Sequence, residues 1–217
     1  MTSIEPLGDR AFLSRFNTEA AAAQWAASLR TAELAGVGEV VLAYDTVATI
    51  AEANFDQLEE LEQRLRGLSV GNFPTEPGRL IVIPVLYDGP DLPEVAIQTR
   101  LSAAEVIRRH CDMTYHVYAI GFLPGFPYLG YLDPEISGIP RRPTPRNRVP
   151  CGSIAIAGRQ TGIYPGESPG GWHLIGRTPL RIVDIEQDHF PISTGDQIRF
   201  LPIEIAEFQA RAGELLE

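Results

Sequence analysis

The sequence of 217 residues predicts an α+β protein in two parts: a small N-terminal α/β sandwich over residues 1–78, then a strand-rich closed barrel or sandwich over residues 79–217. Residues 1–70 alternate strand-like and helix-like apolar patterns. The segment GNFPTEPGR, residues 71–79, is polar and rich in proline and glycine, the composition of a domain junction. Beyond it, short apolar runs alternate with Gly/Pro turns, as in barrels and sandwiches.

In the first part, Phe12–Phe16 reads as a short strand. Residues Thr18 to Leu34 are alanine-rich and helical, with Trp25 and Leu29 at i, i+4 spacing. Glu39–Tyr44 and Val47–Ala51 read as strands around Asp45-Thr46. Asn54-Phe-Asp-Gln57 resembles a capping box, opening a helix to about Leu65 with Leu58, Leu61, Leu65 and Leu68 on its apolar face. Gly67 and Gly71 close it.

In the second part, Leu80–Asp88 reads as a buried strand. Ser102-Ala-Ala-Glu105 is a capping box, so a helix runs to about His110. TYHVYAIGF is a strand with Tyr115, Val117 and Ala119 on one face. SIAIAG, HLIG, LRIVD and QIRFLPI add short strands, and IEIAEFQARAGELLE ends the chain as an amphipathic helix.

The bulk composition excludes several functions. No run approaches the ~18 apolar residues of a membrane helix, and MTSIEPLGDR carries no secretory signal. Two cysteines, Cys111 and Cys151, are too few for a disulfide framework, and together these features favour a reduced, cytoplasmic setting. A net charge of −10 argues against nonspecific nucleic-acid binding and against anionic membranes. All 18 basic residues are arginine. A Walker A loop, the strand lysine of protein kinases and Schiff-base chemistry are therefore excluded. An anion site must use arginine, backbone N–H groups or a metal. The four histidines form no HxxxH pair and no Cys/His cluster, so no metal centre is expected. His110 reads as a cation favoured by the end of its helix.

Three stretches concentrate shape and chemistry. Pro140-Arg-Arg-Pro-Thr-Pro-Arg-Asn-Arg-Val-Pro150 holds Arg141, Arg142, Arg146 and Arg148 with no acid among them. Its four prolines restrict the chain, so less entropy is lost when the guanidinium groups take fixed positions. It reads as a clamp for carboxylate or phosphate, or as a solvated loop whose arginines pair with acids of this chain. The second stretch, Gln160 to Trp172, offers amides at Thr161-Gly162 and Gly170-Gly171, which suit an anion-binding turn. Gln160, Thr161 and Ser168 add polar groups, and Tyr164 and Trp172 add flat walls; the alternative is two tight barrel turns with Trp172 in the core. The third, Gly121 to Gly130, places Phe122, Phe126 and Tyr128 around Pro-Gly corners, as a pocket wall, a partner patch or a packed corner. Cys151 reads as a small thiol without catalytic duty.

These residues resemble the KipI-like family, also called allophanate hydrolase subunit 1 or the B subunit of 5-oxoprolinase. The resemblance lies in GFLPGFPYLG, PRRPTPRNRVPCGS and IAGRQTGIYPGESPGGWHLIGRTPL, with support from IPVLYDGPDL, LSAAEVIRRH and TGDQIRF. It covers residues 80–202 closely and the N-terminal part more loosely. It implies a cyclophilin-like β-barrel after the small α/β domain. It also implies a heteromeric complex with a homologous subunit-C-like barrel protein (KipA-like, allophanate hydrolase subunit 2) and a third protein of the LamB/YcsF type. That assembly opens 5-oxoproline to glutamate using ATP, with magnesium, at the level of the complex. Arg141, Arg142, Arg146 and Gln160 are then the catalytic candidates. Phe122, Phe126, Tyr128, Ser153, Thr161, Gly162, Tyr164, Gly170, Gly171 and Trp172 are the substrate-binding candidates. The family's alternatives are a KipI-type inhibitor of a sensor histidine kinase, and a component of an allophanate- or urea-type amide hydrolase or carboxyltransferase.

Overall fold

The structure, a computed structural model, describes residues 1–70 and 78–217. The chain divides into two units, Met1–Glu76 and Pro77–Glu217. Apart from Gly78 and Arg79, the junction expected at residues 71–79, with Gly71, lies outside the described residues.

The first unit runs β1 (Ser3–Leu7), β2 (Ala11–Arg15), α1 (Glu19–Ala32), β3 (Val37–Ala43), β4 (Thr46–Ala51) and α2 (Leu58–Gly67). Its strands form one antiparallel sheet in the order β1-β2-β4-β3. Strand β1 is an addition to the elements expected from sequence. Its SIEPL segment buries only Ile4 and contains Pro6, which an edge strand tolerates. The α1 helix starts where Thr18 accepts a hydrogen bond from the Ala21 amide at 3.2 Å. It buries Trp25 and Leu29, which join Leu61 and Leu65 of α2 and Phe12, Phe16 and Val47 in one core.

Helix α2 begins later than the Asn54–Gln57 capping box suggests, and Gln57 makes no side-chain cap. Tertiary contacts override the local signal. Phe55 packs against the core, and a Cβ on Gly36, where φ is +91°, would lie 2.6 Å from its ring. The Phe55 carbonyl accepts from the Arg10 guanidinium at 3.0 Å, and residues 55–57 remain irregular instead of joining the helix.

The second unit contains β5 (Leu80–Val85), α3 (Leu92–Thr99), α4 (Ala103–Asp112), β6 (Tyr115–Ile120), β7 (Pro127–Gly130), a 3-10 turn (Pro134–Ile136), β8 (Arg146–Val149), β9 (Ser153–Ala157), β10 (Gln160–Ile163), β11 (Ser168–Gly170), β12 (His173–Arg177), β13 (Gln197–Pro202) and α5 (Ile205–Ala210). Seven strands make a sheet in the order β12-β9-β10-β7-β6-β13-β5. Leu86 and Arg177 exchange two backbone hydrogen bonds of 2.9 Å and join its two ends. The sheet thus nearly closes into the expected barrel. Strands β8 and β11 form a separate antiparallel ribbon.

Strand β9, SIAIA, is buried along its whole length because both faces are covered. Ile154 and Ile156 enter the barrel core, while Ala155 and Ala157 face an outer aromatic layer. The small alanines leave room for those rings.

Several elements differ from expectation. Leu80 and Val82 are exposed, because they alternate with buried Ile81 and Ile83 and lie on the outward face of β5. LRIVD is no strand; it makes only the isolated bridges Arg181–Leu215 and Asp184–His189. The final helix is confined to Ile205–Ala210 and buries no side chain. Gly213, at φ +85°, turns the chain so that Leu216 buries instead. Helix α3 is likewise unannounced, since DGPDLPEV looks turn-like; its proline lies in the first turn, where a missing N–H costs nothing. Among the described residues no helix is long and apolar enough to cross a membrane.

Candidate functional site

The outer aromatic layer gathers residues from all three motif stretches. Phe126 lies 5.0 Å from Tyr128, 5.2 Å from Tyr164 and 5.6 Å from Trp172, centroid to centroid, with edge-to-face geometry. Phe122 meets Phe126 at 5.5 Å and Tyr164 at 6.3 Å. Phe126, Tyr164 and Trp172 are buried against Val149, Ala155, Ala157 and Leu174. They fill one another's space as a second small core, which is the packed-corner alternative and not an open pocket wall. Phe122, 60% exposed with φ +69°, and the partly exposed Tyr128 are the rings of this group that reach solvent.

The glycines serve this packing. A Cβ on Gly162 would lie 2.8 Å from Phe126 Cζ, and one on Gly170 would collide with the Tyr164 hydroxyl. Gly162 sits in β10 between β7 and β9, paired with Tyr128 and Ala155, so its peptide is enclosed by neighbouring strands. Gly170 pairs with Arg146 in the β8–β11 ribbon. Thus Gln160–Gly162 is a strand, not the open anion-binding turn expected. Gly171 does face the arginine loop: its carbonyl accepts from the Arg142 amide at 2.7 Å.

Three of the four loop arginines have acidic partners. Arg142 Nη1 donates to Asp91 Oδ1 at 2.8 Å and lies 3.3 Å from Glu94 Oε2. Arg146 Nη2 donates to the same Asp91 Oδ1 at 2.6 Å. Arg148 forms a two-point bridge with Glu167, at 3.0 and 2.7 Å, in an exposed position. Asp91 is buried, and its Oδ2 accepts from the Leu174 amide at 2.7 Å. Burial pushes its carboxyl pKa up, but the bonds from Arg146 and Leu174 and the charges of Arg146 and Arg142 outweigh this and hold it below the usual range.

Arg141 is different. It is exposed and makes no ion pair among the described residues. Burial raises the pKa of the Tyr128 and Tyr164 phenols, and the positive charge of Arg141 acts against that rise in both. The Trp172 amide does the same at Tyr164. The loop therefore carries one exposed guanidinium without an ion pair among the described residues, its charge felt by the two phenols, while its other arginines are internally paired.

Other candidates fall outside this patch. The buried Ser153 hydroxyl donates to the Pro150 carbonyl at 2.7 Å and stabilises the turn that enters β9. Gln160 lies at the start of β10, paired with Gly130 and Ala157. Thr161 points into the barrel. Its hydroxyl donates to the Ala155 carbonyl at 3.0 Å and accepts from His110 Nε2 at 2.9 Å. His110 Nδ1 then accepts from the Tyr87 hydroxyl at 2.7 Å. Burial lowers the His110 pKa to about 3. The imidazole is neutral, which corrects its reading as a cation at a helix end.

Asp91, Glu94 and His173 carry no signal in the sequence that marks them as a group. Asp91 and Glu94 sit three residues apart at the start of α3, and only the fold brings the distant His173 of β12 to them. One ligand atom from each lies within 4.8 Å of the others, a spacing that could hold a metal ion. The two guanidinium groups already on Asp91 Oδ1 oppose a cation there.

The chain matches the family described as carboxyltransferase domain, subdomain C and D, over residues 2–192. It is 39% identical over 183 residues to the 5-oxoprolinase B subunit of Escherichia coli O157:H7, covering 82% of this chain and 84% of that protein. It is 45% identical over 137 residues to the 5-oxoprolinase B subunit of Bacillus subtilis (strain 168), covering 61% and 56%. Among solved structures, that of TTHA0988 superposes with a TM-score of 0.77 at 39% identity over 90% of this chain, which spans only 40% of that longer chain. The K. lactis urea amidolyase superposes with a TM-score of 0.79 at 18% identity, over 99% of this chain and 16% of that one, a likeness of fold alone.

Proposed function

Because the chain belongs to the carboxyltransferase-domain family of subdomains C and D, with 5-oxoprolinase B subunits among its relatives, we propose that it is the B subunit of a multi-subunit, ATP-dependent 5-oxoprolinase. Its partners in this reading are a subunit-C-like barrel protein and a LamB/YcsF-like protein, in the cytoplasm. The observation that carries the site is Arg141: an exposed guanidinium on a proline-rich loop, without an ion pair among the described residues, suits the carboxylate of 5-oxo-L-proline. Phe122 and Tyr128 would cover the apolar edge of the ring.

Arg142 and Arg146 are held by Asp91, the Gly162 peptide lies within the sheet, and lysine is absent. In this reading ATP and magnesium act at the level of the complex. ATP supplies the driving force for opening an unstrained lactam, and this chain binds and orients the lactam's carboxylate.

The test is reconstitution. The purified chain is mixed with subunit-C-like and LamB/YcsF-like proteins, and ATP hydrolysis dependent on 5-oxo-L-proline is measured. Turnover that requires all three chains supports the reading. Turnover by the partners alone, or with urea or allophanate in place of 5-oxoproline, refutes it. Inhibition of sensor-kinase autophosphorylation by this chain, without lactam turnover, favours the KipI-type alternative.

A further inference from the structure

Asp91 occupies the N-cap position of α3, where an aspartate ordinarily accepts a hydrogen bond from its own helix. It makes no such bond. Its two oxygens turn instead to the Leu174 amide of β12 and to Arg142 and Arg146 of the proline-arginine loop. A single buried carboxylate thereby ties together a helix start, a barrel strand and a loop that are distant in sequence.

The residues flanking Arg141 are pinned by the same neighbourhood. The Pro140 carbonyl accepts from His173 Nε2 at 3.0 Å. The Arg142 amide donates to the Gly171 carbonyl at 2.7 Å, and the Arg142 side chain is on Asp91. Arg141 stands between two fixed residues, and its own side chain makes no ion pair among the described residues. A cation fixed before its ligand arrives loses less conformational entropy on binding.

We propose that Asp91 is a positioning residue: by holding Arg142 and Arg146 against β12 it aims Arg141 at the carboxylate of the substrate. The inference rests on Arg141 being the carboxylate receptor. It places a group that touches no ligand in control of one that does. His173 and Glu94 are supporting members, the first through Pro140 and the second through Arg142.

Asp91→Asn, Arg141→Ala and the double variant are assayed in the reconstituted complex, with 5-oxo-L-proline as the varied substrate. Asp91→Asn is expected to raise KM about tenfold with kcat altered less than about threefold, the mark of lost binding that is equal in ground and transition states. In the Arg141→Ala background the same change should add less than about twofold, because the two residues act as one unit. Arg142→Gln leaves the Asp91–Arg146 pair intact. It should reproduce the KM effect if Asp91→Asn does not fold, as judged by thermal unfolding.

A measurement on the isolated full chain needs no partner. The backbone amide of Arg141 should be rigid on the picosecond–nanosecond scale by 15N relaxation and should loosen in Asp91→Asn, or in Arg142→Gln should that variant stand in. An amide equally rigid in both proteins overturns the proposal. So does an Asp91 effect that multiplies fully with that of Arg141→Ala, since this marks a general loss of structure. If Arg141→Ala raises KM and Asp91→Asn does not, the Asp91 inference alone fails. If Arg141→Ala leaves KM unchanged, the carboxylate reading fails and takes the inference with it.

Discussion

His110 Nε2 and Thr161 Oγ1 meet at 2.9 Å inside the barrel, joining helix α4 to strand β10. The bond belongs to a chain of single donors and acceptors. The Cys111 thiol donates to the Tyr87 oxygen at 3.3 Å, Tyr87 donates to His110, His110 donates to Thr161, and Thr161 donates to the Ala155 carbonyl. The imidazole also stacks on Phe200 at 4.6 Å. Each polar group in the chain has a partner, so a neutral histidine is tolerated in an apolar interior.

Removing that side chain should be costly. His110→Ala leaves the Tyr87 and Thr161 hydroxyls short of a partner and opens a cavity beside Phe200. A loss of about 2–4 kcal/mol is expected from urea unfolding at neutral pH. A loss below about 1 kcal/mol would show that the network contributes little.

The same histidine sets an acid dependence. Its folded pKa is lowered from 6.5 to about 3, so between these values the unfolded chain binds a proton that the native protein does not. Stability is unaffected by this group above pH 6.5 and falls as pH drops below it, by about 1.4 kcal/mol per unit at most. Asp91, held below its ordinary 3.8, adds its loss only at more acid pH. Unfolding curves from pH 6.5 to 4.5 should show this slope in the wild type and lose about one proton's worth of it in His110→Leu.

Arg141 and Arg148 belong to one proline-arginine stretch and carry opposite expectations. Arg141→Ala should leave the melting temperature unchanged and raise KM for 5-oxo-L-proline in the complex by about 10–100-fold, the worth of a charge-assisted hydrogen bond. Arg148→Ala breaks only the exposed bridge to Glu167 and should change neither quantity measurably.

The glycines separate packing from ligand access. Gly162→Ala and Gly170→Ala drive a methyl group into Phe126 and Tyr164, and each should cost about 1–3 kcal/mol in thermal unfolding. The nearest atom to a Cβ on Gly171 is 3.6 Å away, so Gly171→Ala should stay within about 0.5 kcal/mol of wild type. Equal losses at all three positions would contradict the packing assignment.

Local signals were legible where they competed with nothing. Ser102 and Glu105 form both bonds of the capping box that their spacing announces, and Tyr115, Val117 and Ala119 share one buried face. Asn54–Gln57 carries a comparable signal and fails, because the pull of Phe55 into the core outweighs one turn of helix. Strand β1 is silent in the sequence because an edge strand with one buried residue has almost no alternation to read.

The proline-arginine and aromatic motifs were visible as a concentration of arginine, proline, glycine and rings, and periodicity with turn chemistry pointed to a barrel after a small sandwich. Those are short-range properties, written in the order of residues. Which arginine stays free is a long-range property. It depends on Asp91, some fifty residues before the loop (Arg142 is 51 positions away and Arg146 55), and on the amide of Leu174 after it. No local pattern marks a carboxylate that forgoes its own helix cap for partners so distant; the barrel had to close before Asp91 could claim two guanidinium groups and leave Arg141 unpaired.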